Sequence, residues 1–340
     1  ARYCMKTVLR YAGGKSRAIK KITPFVEPYD TIVSPFIGGG SLEVHWASEG
    51  KKVIGADTFG MLINFWEQLL NNPEQLALEL GKIEPTAEVY KIVKELLICS
   101  PETQDMLSHW KSNYYERQHV TLPDIKLAAY YYFNHNTSYG PGFLGWPSKI
   151  YMDTEKWDKT IGKIKDFSCP NLSVLHQSFE KTIRENKDAF LYLDPPYYTD
   201  KSEDNKLLCG VYPMKNIPVH HDGFDHELLR DLLISHDGDF VLSYNNCEVI
   251  RDFYSDFDQY FPQWHYSMDI GEKRIGKHRQ ERTSEEELNK VDELTAEIER
   301  LEAQPVKNKK RIASLIHQRH EIMKKESHEI LIVKRTKNES

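Results

Sequence analysis

Residues 31–57, TIVSPFIGGGSLEVHWASEGKKVIGAD, contain the pattern that decides the fold. TIVSPF is a short run rich in β-forming residues that leads into a glycine cluster, and KKVIGAD is a second such run that ends in an acid. The segment between them has helical spacing and stops at a glycine, so the stretch predicts strand, helix, strand. This is a βαβ unit, which indicates a mostly parallel sheet.

The same alternation of strands and helices returns later in the chain. Three further strands are predicted at NLSVLHQSF (171–179), AFLYLD (189–194) and DFVLSYN (239–245). YFPQWHYSMDI (260–270) and HEILIVKR (328–335) fit a closing antiparallel pair. We therefore expect an α/β fold with a Rossmann-like sheet of seven strands, and ligands at the carboxyl ends of the parallel strands.

Two insertions interrupt this pattern. Residues 75–165 are mostly helical in pattern, and residues 283–326 contain two apolar stripes separated by Gln304 and Pro305. The first stripe is acidic and the second basic, which favours an antiparallel helical hairpin. A solvated spacer, a dimerisation arm and a DNA-contact arm all fit such a hairpin. The expected catalytic domain then comprises residues 1–74, 166–282 and 327–340.

The composition indicates a globular chain without a membrane span. The net charge is −6, yet basic residues cluster locally, with five Lys or Arg against two Glu in residues 272–282. Such local clusters permit binding of nucleic acid. No apolar run approaches the length of a spanning helix. The five cysteines are scattered and form no CxxC pair, so we expect a reducing, cytoplasmic setting.

The glycine cluster and the acid after the second strand point to a nucleotide-like ligand. A glycine-rich turn between a strand and a helix lets a ligand approach the backbone closely, although a simple tight turn has the same sequence. Asp57 stands where nucleotide-binding α/β folds place an acid on ribose hydroxyls. The pair together favours a cofactor that contains adenosine.

Residues 190–198, FLYLDPPYY, contain a motif that is more specific than the glycine cluster, at the end of a predicted core strand. The Asp194 carboxylate and the Pro195 carbonyl are acceptors only, the two prolines stiffen the turn, and Tyr197 adds a flat aromatic surface. This set suits a planar molecule with an exocyclic amine, because the acceptors bind the amine hydrogens while the rings stack. A rigid turn with a surface acid is the plainer alternative.

Taken in order, RYAGGKSR, PFIGGGSLE, GADTFGMLINFW and LDPPYY resemble the Dam-type (alpha-group) DNA adenine N6-methyltransferases. The resemblance implies S-adenosyl-L-methionine as cofactor and double-stranded DNA as partner. It implies cofactor contacts from Tyr11, Lys15, Phe36, Gly38, Gly40, Asp57, Phe179 and Asp194. It also implies a target-base pocket at Asp194, Pro195, Pro196 and Tyr197. Phe59 stands where many members of this family have asparagine.

The long helical insertion lies where this family keeps its target-recognition region. FNHNTSYGPGFLGWPSKIY is similar in outline to the family's recognition loop. The resemblance therefore implies DNA contacts, and the DNA-contact candidates are Arg10, Asn134, Asn136, Tyr139 and Lys149. Asparagine can read adenine edges, whereas lysine and arginine bind phosphate or guanine. The tyrosines of YYYFN (130–134) fit a helix core better than a base-stacking platform.

The expected reaction is transfer of a methyl group to N6 of a flipped-out adenine, without a metal. PVHHDGFDHELL gathers His220, His221, Asp222, Asp225 and His226, but we expect Asp225 to cap a helix that starts at His226 rather than bind a metal. Amine methylation of RNA or of a protein amide is an alternative. A catalytically silent DNA-binding scaffold is another, although the intact DPPY motif argues against it.

Overall fold

The computed structural model describes residues 5–11, 15–107, 119–139, 142–198, 223–262, 285–304, 308–326 and 329–336. Its seven strands are β1 (Thr31–Ser34), β2 (Lys52–Asp57), β3 (Leu172–His176), β4 (Leu191–Leu193), β5 (Phe240–Asn245), β6 (Asp258–Tyr260) and β7 (Glu329–Lys334). They form one mixed sheet in the order β3-β2-β1-β4-β5-β7-β6. The predicted Rossmann-like α/β sheet is thus confirmed.

Strands β1 to β5 are parallel, and β7 is antiparallel to both of its neighbours. The closing antiparallel pair is therefore confirmed, but its first member is displaced from the prediction. β6 ends at Tyr260, where the strand over 260–270 was expected to begin, and residues 263–270 lie outside the described part of the chain. Parallel strands need crossovers, which explains the helices between the first five strands.

The helices of the first half follow a short 3₁₀ turn at Ser16–Ala18. They are α1 (Ile19–Val26), α2 (Ser41–Ser48), α3 (Gly60–Asn71), α4 (Pro73–Gly81), α5 (Ala87–Ile98), α6 (Pro101–Leu107), α7 (Asp124–Thr137) and α8 (Thr154–Lys165). Six of these, α3 to α8, lie between β2 and β3 in the chain, and the last five, α4 to α8, fall in the region predicted to be a helical insertion. Its limits as a domain stay a prediction.

The second half of the chain adds five helices in the described residues. They are α9 (Phe179–Glu185), α10 (His226–Ile234), α11 (Glu248–Phe253), α12 (Glu285–Glu302) and α13 (Lys309–Glu326). Asp225 accepts a hydrogen bond from the Leu228 N–H, so the predicted cap of the helix that starts at His226 is confirmed. His220, His221 and Asp222 lie outside the described residues.

Helix α7 packs its aromatic residues into the core between α3 and the insertion helices. Tyr131, Tyr132 and Phe133 are fully buried, and the ring of Tyr132 stacks on Phe65 with centroids 4.9 Å apart. A buried aromatic ring removes more apolar area from water than most other buried side chains do. This cluster therefore stabilises the junction between the sheet and the insertion. The prediction that YYYFN belongs to a helix core is confirmed.

Helices α12 and α13 pack along each other around a small apolar core of Leu294, Ile298, Ile312 and Leu315. Arg311 reaches Glu297 at 3.2 Å, and Arg319 reaches Thr295 at 3.2 Å. The residue numbers fall on one helix as they rise on the other, so the two helices run antiparallel. None of the helices in the described ranges is both long and apolar enough to span a membrane.

Candidate active site

The predicted site residues follow strands whose carboxyl ends meet at one edge of the sheet. β2 ends at Asp57, Asp194 follows β4, and β5 ends at Asn245. Because these strands are parallel, the three side chains lie on the same edge. Crossover helices begin at this edge, so their N-terminal backbone N–H groups also point towards it.

The glycine turn after β1 requires glycine at each of its positions. Gly38 and Gly40 have φ angles of 47° and 65°, a region that favours glycine. A Cβ atom at Gly39 would lie 2.4 Å from the Cβ of Tyr11, and one at Gly40 would lie 2.6 Å from the Trp66 ring. The Trp66 indole N–H also donates to the Gly38 carbonyl at 3.0 Å. Two aromatic residues thus fix the shape of this turn.

Asp57 holds the glycine turn against the end of β2. One carboxylate oxygen accepts from the Gly38 N–H at 3.2 Å and the other from the Phe59 N–H at 3.0 Å. The side chain is almost fully buried. A carboxylate has lone pairs for further donors, so these bonds orient Asp57 and leave acceptor capacity for a ligand hydroxyl.

Lys15 joins the N-terminal segment to the motif after β4. Its ammonium lies 3.0 Å from Asp194 Oδ1 and 5.6 Å from the centroid of the Tyr197 ring. Burial raises the pKa of Asp194, and the charge and hydrogen bond of Lys15 oppose that rise. Lys15 is itself buried, and a buried cation needs a charged partner. The two residues therefore stabilise each other's charged forms.

Glu43, in the first turn of α2, is a second acid near Asp194 that sequence reasoning missed. Its Oε1 accepts from the Ser34 hydroxyl at 2.6 Å, and the side chain is buried. Burial raises the pKa of Glu43 from 4.5 to about 7, and the nearby Asp194 carboxylate adds to the rise. The signal was available in the sequence, because an acid stands between two apolar residues of this helix.

Three phenylalanines form an aromatic cluster next to the glycine turn, since Phe36 comes just before Gly38 in the chain. Phe36 stacks on Phe179 with centroids 5.5 Å apart, and Phe224 packs on Phe179 at 5.0 Å. The structure thus brings together the two predicted residues, Phe36 and Phe179. Phe224 was not predicted, because it lies 45 positions after Phe179 in the chain and only the sheet order makes them neighbours.

Two residues hydrogen-bond to the DPPYY segment, Asn245 at the end of β5 and Glu329 at the start of β7. Pro195 is buried and Pro196 is half-buried. The Tyr197 hydroxyl hydrogen-bonds to Glu329 Oε1. The Asn245 side chain accepts from the Tyr198 N–H at 2.8 Å and donates to the Tyr198 carbonyl at 2.9 Å. Sequence reasoning missed both of these supporting residues.

Asn134 and Asn136, predicted to contact DNA, lie on α7 and are buried. Asn134 has no exposed surface, and its Oδ1 accepts from the Leu144 N–H at 2.8 Å. Leu144 has a φ of 57°, which a leucine rarely adopts, so this bond holds a strained loop. The prediction of a direct base contact is at odds with this burial, which favours a supporting role for Asn134. Asn136 is 8% exposed.

Arg10 lies against the same region of the insertion. Its guanidinium donates to the Asn136 carbonyl at 2.7 Å and lies 3.5 Å from the centroid of the Tyr151 ring. His135 hydrogen-bonds to the Arg10 carbonyl and stacks on Tyr11 with centroids 5.5 Å apart. The N-terminal segment therefore connects the glycine turn with helix α7.

Tyr139 and Lys149, the other two DNA candidates, are exposed on the loop that follows α7. Trp146 is 70% exposed, and its carbonyl accepts from the Tyr139 N–H at 2.6 Å. Residues 140 and 141 of this loop lie outside the described chain. Trp146 shares this exposed loop with the candidates Tyr139 and Lys149, so we add it to the DNA candidates.

The geometry thus groups the predicted cofactor residues and the DPPYY motif at one edge of the sheet. None of the curated proteins compared with the chain matches it. A family model described as D12 class N6 adenine-specific DNA methyltransferase matches residues 11–268, which is more than half of the chain. The matched range includes the glycine turn, the insertion and the DPPYY motif. The chain therefore belongs to the D12 class of N6 adenine-specific DNA methyltransferases.

Proposed function

We propose that the chain transfers the methyl group of S-adenosyl-L-methionine to N6 of an adenine flipped out of double-stranded DNA. Its family membership makes it a site-specific DNA methyltransferase that acts on adenine, which decides against the RNA, protein and scaffold alternatives. The proposal adds the donor and the roles of individual residues. The observation that supports these best is the 3.0 Å contact between Lys15 and Asp194, which joins the predicted donor residues to the predicted base pocket.

The residues around the glycine turn fit the chemical groups of this donor. Gly38 and Gly40 leave backbone without side chains, and Lys15 supplies a cation for a carboxylate. Asp57 has acceptor capacity for ribose hydroxyls, and the faces of Phe36 and Phe179 suit an adenine ring. Tyr11 packs on the turn and shapes it. When bound, the donor supplies an electrophilic methyl group on a sulfonium.

Asp194 and Pro195 are proposed to orient the amine of the extruded base. Both offer acceptors only, so they bind the N6 hydrogens and draw electron density towards nitrogen, which makes its lone pair available for attack. Pro196 stiffens the turn, and the ring of Tyr197 stacks on the base, a contact worth about 1–3 kcal/mol against the cost of extrusion. The residues of this pocket act by positioning, and none of them forms a covalent bond.

DNA is proposed to bind along the loop after α7. Tyr139, Trp146 and Lys149 are exposed there, and Arg10 lies beside the same region. We place residues 75–165 as the recognition domain and keep Asn136 as a candidate contact at its edge. The antiparallel helices α12 and α13, within the proposed hairpin 283–326, are proposed as an arm for DNA contact or dimerisation.

Replacement of Asp194 tests the proposed chemistry directly. Asp194→Ala should abolish transfer of a radiolabelled methyl group from S-adenosylmethionine to plasmid DNA, while DNA affinity stays close to that of the unchanged protein. Asp188→Ala is the matched control, because Asp188 is an exposed acid just before the same strand, at the opposite edge of the sheet. Normal turnover of the Asp194 variant would contradict the assignment. Mass spectrometry of the digested DNA should show N6-methyladenine.

A further inference from the structure

Asn245 and Glu329 are opposite each other on the antiparallel strands β5 and β7. Directly opposed residues of an antiparallel pair project their side chains to the same face of the sheet. In this protein both side chains reach the DPPYY segment, Asn245 at the Tyr198 backbone and Glu329 at the Tyr197 hydroxyl. One cross-strand pair therefore contacts two consecutive residues of the proposed base pocket.

Glu329 is the first residue of β7, and only 1% of its surface is exposed. A buried carboxylate costs free energy unless it is hydrogen-bonded, and the Tyr197 hydroxyl donates such a bond. Hydrogen bonds to an ionised carboxylate are shorter and stronger than those between neutral groups. The bond also fixes the direction in which the tyrosine ring points. A ring without it would keep its stacking area but could turn about its side-chain torsions.

Asn245 fixes the backbone of the same segment. Its side-chain amide uses one acceptor and one donor on the two backbone groups of Tyr198, at 2.8 Å and 2.9 Å. Two bonds from one planar amide set both the position and the orientation of the peptide they hold. The rigid sheet beneath the pair transmits this geometry, because β5 and β7 are paired along six residues.

We propose that Glu329 is a positioning residue for methyl transfer: it acts through the Tyr197 hydroxyl to set the plane on which the target adenine stacks, while Asn245 holds the backbone of the next residue. This inference rests on the proposed role of Tyr197 in the base pocket. Glu329 itself is proposed to touch neither the base nor the donor. Misorientation of a reacting group slows the reaction more than it weakens binding, so the effect should fall on the rate of the chemical step.

The test compares single-turnover rates of methyl transfer to plasmid DNA, with S-adenosylmethionine and DNA both saturating. Tyr197→Phe and Glu329→Ala should each lower the rate by about tenfold or more while DNA affinity changes little. The double variant should be no slower than the slower single variant, because both changes remove one interaction. Glu329→Gln keeps an acceptor oxygen and should recover a large part of the rate.

Tyr29→Phe is the matched control. Tyr29 donates to the Asp239 carboxylate at 2.6 Å, which is the same kind of bond, but it lies before β1 at the opposite edge of the sheet. This variant should lose some thermal stability and keep its rate. Tyr197→Phe preserves the ring, so it keeps the comparison informative even where Glu329→Ala folds poorly.

The outcomes separate this inference from the proposed function. A slow Tyr197→Ala variant with normal rates for Tyr197→Phe and Glu329→Ala would overturn the positioning role and leave the base pocket intact. Rate losses that multiply in the double variant would also overturn it, because the two residues would then act independently. A normal rate for Tyr197→Ala would overturn the proposed role of Tyr197 itself and, with it, the inference.

Discussion

Lys15 and Asp194 form an ion pair with an Nζ to Oδ1 distance of 3.0 Å, although they lie 179 positions apart in the chain. Lys15 precedes the first helix, and Asp194 follows a strand in the middle of the sheet. The pair therefore connects the segment beside the glycine turn to the proposed base pocket. Because burial raises the pKa of Asp194 and Lys15 opposes that rise, the pair also sets how much of the carboxylate is ionised.

We expect Lys15→Met to shift the acid limb of the pH-rate profile upwards. The unpaired Asp194 would have a higher pKa, and the carboxylate is the form that accepts the amine hydrogens most strongly, so activity would be lost at a higher pH. The measurement is the single-turnover rate across a pH series at saturating donor and DNA. Raising the pH should recover part of the rate. A rate that falls by the same factor at every pH would contradict this role of the ion pair.

Glu43→Gln should change how stability depends on pH. Burial raises the pKa of Glu43 from 4.5 to about 7 in the folded protein, so the stability that protonated Glu43 provides is fully present below pH 4.5 and is lost as the pH rises to about 7. Glutamine keeps an acceptor for Ser34 and carries no charge. The variant should therefore gain stability relative to the unchanged protein over this window, by roughly 3 kcal/mol.

Urea denaturation at a series of pH values measures this gain. Glu49→Gln is the control, because Glu49 is exposed at the end of the same helix. Its stability difference from the unchanged protein should stay flat across the window. A flat difference for Glu43→Gln as well would show that the Glu43 carboxyl does not titrate in the folded protein as described.

Gly39→Ala should weaken binding of the donor. The added Cβ would lie 2.4 Å from the Cβ of Tyr11, so Tyr11 and the turn must move apart. Overpacking of this kind costs about 1–3 kcal/mol. Gly162→Ala is the control, since nothing lies within 4 Å of an added Cβ at this helical position, and alanine there should stabilise by roughly 0.5–1 kcal/mol. Calorimetric titration with S-adenosylmethionine and thermal unfolding of both variants provide the comparison.

Lys149→Ala and Trp146→Ala should weaken DNA binding in different ways. A lysine that binds a phosphate releases counterions from the DNA. Its loss should therefore reduce the slope of log affinity against log salt concentration by about one. An exposed aromatic ring contributes stacking, so Trp146→Ala should lower affinity without changing that slope. Binding isotherms at several salt concentrations separate the two effects. Ile234→Ala, which alters an exposed apolar residue outside the insertion, should change neither.

The sequence by itself determined the sheet and predicted the chemistry at its edge. The period of the apolar residues identified the βαβ unit and six of the seven strands near their true positions, because that period is a local property of the chain. The seventh, β6, is three residues long and only partly buried, so it left little pattern to read. LDPPYY and the glycine cluster were recognisable because each motif concentrates its chemistry in a few consecutive residues.

Only the tertiary structure decided which residues support that chemistry. Glu329 and Asn245 are neighbours because β7 inserts between β5 and β6, and nothing in the sequence near either residue announces that register. Asn134 fitted a DNA contact by residue type, yet packing turned its amide into the core to bind Leu144. Residue type and spacing are local, whereas burial and pairing depend on segments far apart in the chain, and these decide what each polar side chain can reach.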